Sequence, residues 1–400
     1  MSVPDEARAI RAAILCGLVI LFDGFDAQAL SFAAPALSHA WGAPASVLAP
    51  AFSAGLAGMM IGAVLLGALS DQFGRRAVLL AGSLTFAAGA LVTPLAHNLA
   101  QLMAIRLATG IGLGGVLPAS VALVTDLAPP RLKNLLVMVM FSAISIGSGL
   151  GGIAAALLIP HFGWGALFFA GGVLPLLAWP LLLRLPASAA VNRREAAAAS
   201  LFSSGRTPVT LLLWLLFLLS LMDLFFLNSW LPTLFAAARL SGAAAVLVAV
   251  LFQLGGAGGS FVLGGLMRRW GAVRVLAVNA LVGAAAIAAM GWSGGALALL
   301  APATLLAGGC VIGGQGGLNA MAGDFYPPLV RGAGVGWALG IGRIGSILGP
   351  LLGGLMLAAH APASALFSVA ALPQLGAALL ILLAGIWARR ADLGRVPAAL

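Results

Sequence analysis

The sequence predicts an all-α integral membrane protein, with twelve transmembrane helices in two pseudo-symmetric six-helix halves. Three observations carry that prediction. First, the 400-residue chain is 62 % hydrophobic and 8 % charged, with a mean hydropathy of +1.13. Soluble domains are nearer half apolar and a quarter charged, so this much apolar surface calls for lipid. Second, twelve apolar runs are each long enough to cross a bilayer. Third, landmarks of the first half return in the second half at one offset.

The runs are 10–37, 47–69, 76–96, 99–126, 134–159, 165–184, 208–235, 243–267, 272–292, 297–322, 332–358 and 363–387. A span needs about 20 apolar residues at about 1.5 Å rise each. The short alternating segments of a β-barrel are absent. The first run follows two arginines, as a secretory signal does, but it is longer than a signal's apolar region and carries Asp23 and Asp26. It therefore reads as an uncleaved first span. The 54 glycines suit close helix packing in lipid. The longest polar stretch, 186–207, follows the sixth run. The expected organisation is an N-terminal bundle (1–185), a cytoplasmic linker (186–207), and a C-terminal bundle with a short cytoplasmic tail (208–400).

The repeat shows in three pairs. Pro35 and Pro232 stand about 197 residues apart, as do Gly74 and Gly271, and Asp126 and Asp324 are one residue further apart. Parallel halves of this kind can rock to expose a site between them to either side.

A net charge of +10 invites a nucleic-acid reading, but that needs one clustered basic face. With both termini placed in the cytoplasm, every Lys and Arg falls inside except Arg239 and two intramembrane residues, Arg106 and Arg343. That is the positive-inside pattern. The expected location is a bacterial inner membrane, with basic loops against anionic lipid and no nucleic-acid partner. The four histidines are dispersed at outer span ends, and Cys16 and Cys310 lie alone in apolar runs. No metal cluster, disulfide framework or enzyme active site is expected from them.

Four stretches carry the chemistry. GALSDQFGRR runs from Gly67 to Arg76. Gly67 and Gly74 permit a tight reversal, Asp71 can cap or bridge a helix end, and Arg75 and Arg76 face the cytoplasm. Read plainly, it is a topology-setting basic loop. RLATGIGLGGVLPAS runs from Arg106 to Ser120. Its GIGLGG would suit a dinucleotide only after a strand, and the flanks are apolar helix. Arg106 lies ~10 Å in from the outer surface. There it must find a partner or an aqueous cavity, or else snorkel outward.

FDGFDAQAL, residues 22–30, holds Asp23 and Asp26. Asp23 lies ~20 Å along its span, near the midplane. The i, i+3 spacing puts both acids on one helix face. Carboxylates this close in a low dielectric repel, so one is expected to hold a proton and release it when access changes sides. Gly24 leaves backbone accessible between them. A structural pair is the plain alternative, though intramembrane carboxylates are functional by default. Asp26 is the expected proton carrier. The fourth stretch, GVGWALGIGRIGSILGPLLGG from Gly334 to Gly354, places Arg343 near the midplane as well. Arg343 is a natural anchor for a substrate carboxylate, or it neutralises Asp23 or Asp26.

The twelve spans, the six-plus-six repeat and the pattern G-x-x-x-D-x-x-G-R-R make the chain resemble the major facilitator superfamily. In that superfamily this inner-loop signature bridges the halves and stabilises the outward-facing state. The resemblance also implies a functional arginine at the position of Arg106, tied to proton coupling or to the substrate's charge, so Arg106 joins Arg343 as a candidate substrate-binding residue. DGFDAQAL, FFLNSWLPTL, FQLGGAGGSFVLG and the long stretch from GGQGGLNAMAG through GRIGSILGPLLGG resemble a narrower group, the aromatic acid:proton symporters. This likeness covers about residues 10 to 388. It implies that Asp23, Asp26, Asp71 and Arg343 are required for transport, and that benzoate-type acids enter with protons. The chain departs from the pattern at GLMRRWG, where Arg268 stands in place of an acid.

Further residues are candidates to line the substrate path: Gln28, Asn228, Gln253, Gln315 and Asn319 as polar groups, and Phe25, Trp230 and Trp337 as a flat apolar wall or as ordinary helix filler. Asp223 falls near Phe25 and Asp26 by the repeat offset, as an extra buried acid or a partner for a polar neighbour. The expected function is uptake of an aromatic carboxylate with protons, by a monomer that needs no other cofactor. The rival is a proton-coupled carrier or exporter of another small organic acid or drug-like compound. An anion alone would move against a potential worth ~2.3 kcal/mol per charge per 100 mV, whereas two accompanying protons reverse the sign.

Overall fold

Apolar runs of this length can satisfy their backbone in lipid only as helices. The computed structural model describes residues 3–186, 201–202, 206–237, 240, 242–326 and 330–390. Most of the predicted linker, 186–207, lies outside the described residues. The twelve helices are α1 (Val3–Trp41), α2 (Ala49–Phe73), α3 (Arg75–Val92), α4 (Leu99–Leu127), α5 (Pro130–Phe162) and α6 (Gly165–Leu182), then α7 (Thr207–Ala237), α8 (Gly242–Trp270), α9 (Ala272–Trp292), α10 (Leu297–Asp324), α11 (Arg331–Ala358) and α12 (Ala363–Arg390). Each contains a stretch apolar and long enough to cross a membrane. The helices often overrun the predicted spans, because hydropathy sees only the lipid-facing length. Thus α5 begins at Pro130, whose missing N–H costs nothing at a helix start.

The chain divides into two compact units, Met1–Arg193 with Ser241–Val250, and Arg194–Leu240 with Leu251–Leu400. Inside the first, α1 packs on α5, α4 and α6, while α3 packs on α4 and α6, and α2 on α4. Inside the second, α7 packs on α11, α10 and α12, and α9 packs on α10 and α12. Shifting each helix number by six carries the contacts of α1 and α3 onto those of α7 and α9. Each unit has its own apolar core. Ile20, Leu79, Phe86 and Leu123 lie in the first, and Leu213, Phe217, Leu276 and Ile381 in the second. Large apolar side chains such as Val64, Leu157, Leu177 and Leu379 stay exposed, as lipid-facing residues should.

Apolar burial contributes little to association between helices already in lipid, so backbone approach has to supply it. In the first unit a Cβ on Gly58 or Gly62 of α2 would overlap the carbonyl oxygens of Leu107 and Ile111 in α4. From the other side, a Cβ on Gly110 or Gly114 would overlap those of Gly55 and Met59. The same seam recurs between α8 and α10, where Gly255 and Gly259 meet the oxygens of Leu305 and Gly309. The glycines of GIGLGG are therefore helix-packing residues.

The corners repeat too. Gly74 joins α2 to α3 at φ 83°, and Gly271 joins α8 to α9 at φ 82°. Both lie in a region that side chains disfavour. Beyond Gly74, Arg75 is buried. It donates to the Ala122 carbonyl at 2.6 Å and forms an ion pair with Asp126. Arg76 donates to the Leu183 carbonyl at 2.5 Å, just past α6. Both arginines thus place positive charge on helix C-termini, where the backbone dipole favours it. These contacts tie α3 to α4 and α6 within one bundle, with Arg75 buried against the end of α4.

Gly62→Val should force α2 away from α4 at a cost of about 1–3 kcal/mol or more. A lower thermal midpoint of the purified protein in detergent checks this, and an unchanged midpoint counts against the seam. Asp126→Asn should cost about 1 kcal/mol, because Asp126 is partly solvated. Thermal unfolding monitored by tryptophan fluorescence would show it as a shift of a few degrees.

Candidate functional site

A buried polar cluster in the first unit forms around Arg106. Asn98 caps α4 by accepting from the Gln101 N–H at 2.9 Å, which sets where the helix starts. Two turns later, Arg106 is 5 % exposed and Asp26 of α1 is 2 % exposed. Arg106 Nη1 donates to Asp26 Oδ2 at 3.3 Å. Its Nη2 donates to Thr93 Oγ1 at 2.8 Å and to Thr109 Oγ1 at 3.5 Å. Each threonine hydroxyl gives its own proton to a carbonyl one turn back, Gly89 and Ile105 respectively. Their lone pairs therefore point at the guanidinium. The Phe168 ring of α6 lies 5.2 Å from the guanidinium carbon, a cation–π contact.

The pairing uses one carboxylate oxygen. Asp26 Oδ1 and Arg106 Nε are buried without a hydrogen-bond partner. Such orphans are uncommon in buried sites. A carboxylate held by one oxygen can accept a proton on the other, which frees the guanidinium to meet a different anion. Arg106 is therefore not snorkelling. The reading of the span alone left its partner open, and the structure joins it to Asp26.

Asp23 is buried one turn earlier on α1, and Gln28 is buried as well. Gly24, expected to leave backbone accessible, instead docks α1 onto α5. A Cβ there would overlap the Ile144 carbonyl oxygen, and Ser148 Oγ donates to the Gly24 carbonyl at 3.0 Å. Phe25 is buried against Gly151 of α5 and Gly171 of α6. It packs the bundle from within. Gly67, Gly74, Arg75 and Arg76 belong to the α2–α3 corner, and the side chain of Asp71 lies outside the described residues.

In the second unit Arg343 is half-buried on α11, its carbonyl accepting from Ser346 Oγ at 2.7 Å. Trp230 is fully buried, with Nε1 donating to the Pro350 carbonyl at 3.0 Å, and so locks α7 to α11. Trp337 is exposed and stacks on Trp214 at 5.8 Å. Among the polar candidates, Gln253 Nε2 donates to Asn228 Oδ1 at 3.0 Å, and Ser220 Oγ donates to Gln315 Oε1 at 2.7 Å. Gln315 Nε2 and Asn319 Oδ1 have no partner. Asp223 is 1 % exposed and accepts from Gln374 Nε2 at 2.6 Å.

Sequence reasoning missed Thr93, Thr109, Phe168, Ser220 and Gln374. Thr109 was findable, one helical turn from Arg106 on the same face. Gln374 was findable too, as an amide in an otherwise apolar span.

Residues 16–350 match the profile of the Major Facilitator Superfamily. The gallate transporter of Pseudomonas putida is 36 % identical, over 93 % of this chain and 91 % of its own. The 4-hydroxybenzoate transporter PcaK of Pseudomonas aeruginosa is 37 % identical, over 94 % of this chain and 92 % of its own. The crystal structure of the nucleoside transporter NupG superposes with a TM-score of 0.76 at 15 % identity, covering 94 % of this chain and 99 % of that one. That likeness speaks to the fold. The chain belongs to the Major Facilitator Superfamily, and within it to the family that holds these aromatic-acid transporters.

Proposed function

We propose that this protein imports an aromatic carboxylate of the benzoate or hydroxybenzoate type together with protons, by alternating access. The observation that carries the reading is the buried Asp26–Arg106 pair in a chain whose relatives move gallate and 4-hydroxybenzoate. In the proposed cycle, Asp26 takes a proton and its hold on Arg106 loosens. Asp23, one turn away, adjusts that proton affinity. The substrate carboxylate docks on Arg343. The polar side chains Gln28, Gln315 and Asn319 contribute to the substrate path. Release of substrate and proton to the cytoplasm restores the ion pair. Arg106 is the secondary dock for the substrate carboxylate, because a proton on Asp26 loosens the bond that holds its guanidinium.

The reading extends to the setting. The chain acts as a transporter rather than an enzyme, with the proton as its coupling ion and no other cofactor. It sits as a monomer in a bacterial inner membrane. Its basic loops, the GALSDQFGRR corner among them, lie with both termini on the cytoplasmic side, against anionic lipid. That orientation rests on the one-sided distribution of arginine. The polar stretch 186–207 serves as the cytoplasmic linker between the two bundles.

Uptake of labelled 4-hydroxybenzoate into right-side-out vesicles tests the reading. A protonophore should abolish accumulation, and uptake that survives it would sink proton coupling. Asp26→Asn and Arg343→Ala should each lower initial uptake about ten- to a hundredfold, the loss expected when a charge-assisted bond worth about 1.5–3 kcal/mol is removed. Membrane abundance, followed by immunoblot, should hold. Arg106→Lys should also impair uptake, since one ammonium cannot reproduce the planar fork that spans Asp26 and two threonines. Wild-type uptake by that variant would show that Arg106 contributes charge alone.

A further inference from the structure

Asp223 has no place in the cycle above, yet it occupies the same station in α7 that Asp26 occupies in α1. The two stand at the offset that also relates Pro35 to Pro232 and Gly74 to Gly271. Both are buried, both have one oxygen hydrogen-bonded, and both have an Oδ1 with no partner. They differ in what they face. At the offset from Arg106, α10 carries Ala303. Asp223 instead meets the side-chain amide of Gln374, from α12, at 2.6 Å.

The helices packed on α7 are α10, α11 and α12. Their titratable or charged residues are Cys310 and Asp324 on α10, Arg331 and Arg343 on α11, and Arg389 and Arg390 at the end of α12. Among the described residues, none forms an ion pair with Asp223. An anion there would be stabilised by a single neutral donor, which does not offset the loss of its hydration. A neutral carboxyl keeps the Gln374 bond and loses little. Gln374 also lines a small cavity with Ser220, Asn279, Cys310 and Gly314, of about 10 Å³, the minimum for one water. Ser220 in turn donates to Gln315. A polar route therefore leads from Asp223 toward the polar candidates on α10.

We infer that Asp223 is a second proton-binding site, which carries an additional proton with each molecule of aromatic acid. This rests on the proton-coupled reading above. It matters energetically, because a monoanion moved with one proton carries no net charge. With two protons it carries positive charge inward, and the membrane potential assists uptake.

The experiment uses the purified full chain in liposomes, with 4-hydroxybenzoate as probe. Substrate-induced current on a supported membrane is recorded beside uptake of labelled acid. The wild type should give a current, and Asp223→Asn should lose the current per acid transported. An Asp223→Asn protein that keeps the wild-type current per acid overturns the inference and leaves symport intact. So does a wild type that takes up protons with the acid but gives no current. A wild type that moves the acid without any protons removes the symport reading itself. If Asp223→Asn carries no acid at all, infrared titration decides. A neutral-carboxyl band present in the wild type and lost in the variant supports the site, and its absence from the wild type overturns it.

Discussion

A guanidinium buried in an apolar helix bundle has to be met by acceptors on several sides at once. Much of the first unit follows from that requirement. Arg106 is met by a carboxylate from α1, a hydroxyl from the turn before α4, a hydroxyl from its own helix, and an aromatic face from α6. Removing one partner of a buried pair typically costs about 3–5 kcal/mol, because the other charge is left without compensation. The same coupling suits a switch. A proton on Asp26 changes the charge balance of four helical segments together.

Bringing those elements within reach depends on backbone, not on charge. Glycine seams let α4 lie against α2 and α3, and Gly24 and Gly147 let α1 lie against α5. Glycines in the middle of helices carry an entropic cost, and in lipid the close approach they allow offsets it. The glycine-rich stretch after Arg106 is best understood this way. It holds the helix that presents the arginine.

The two units share a scaffold and differ in chemistry. The contacts of α1 and α3, the corner glycine Gly74 and the seam glycines Gly58 and Gly62 recur at the repeat offset, as the contacts of α7 and α9, Gly271, Gly255 and Gly259. The buried acids recur too, but one faces a guanidinium and the other an amide. A duplicated bundle can keep its packing residues while the polar residues diverge, because packing constrains the backbone and the polar groups sit at a few positions inside it. The α2–α3 corner diverges similarly. Arg75 pairs with Asp126 there, whereas the residue after Gly271 is Ala272.

Hydropathy and spacing were enough for the twelve spans and the repeat, the motifs such as DGFDAQAL carried the family resemblance, and counting along the helices gave the depths expected of Asp23, Asp26, Arg106 and Arg343. Length along a helix is proportional to residue number, so depth can be counted. Rotation about the helix axis cannot be counted. A soluble helix declares its inner face by an apolar stripe, but a membrane helix is apolar all round. Only the tertiary structure decided that Gly24 and Phe25 turn toward α5 and α6, that Trp230 locks α7 to α11, and that Asp26 meets Arg106. It also picked out Gln374, one amide in an apolar span, as the group that meets Asp223. Which face turns inward is settled by the fit of side chains and backbones between neighbouring helices, and that fit exists only once the helices are assembled.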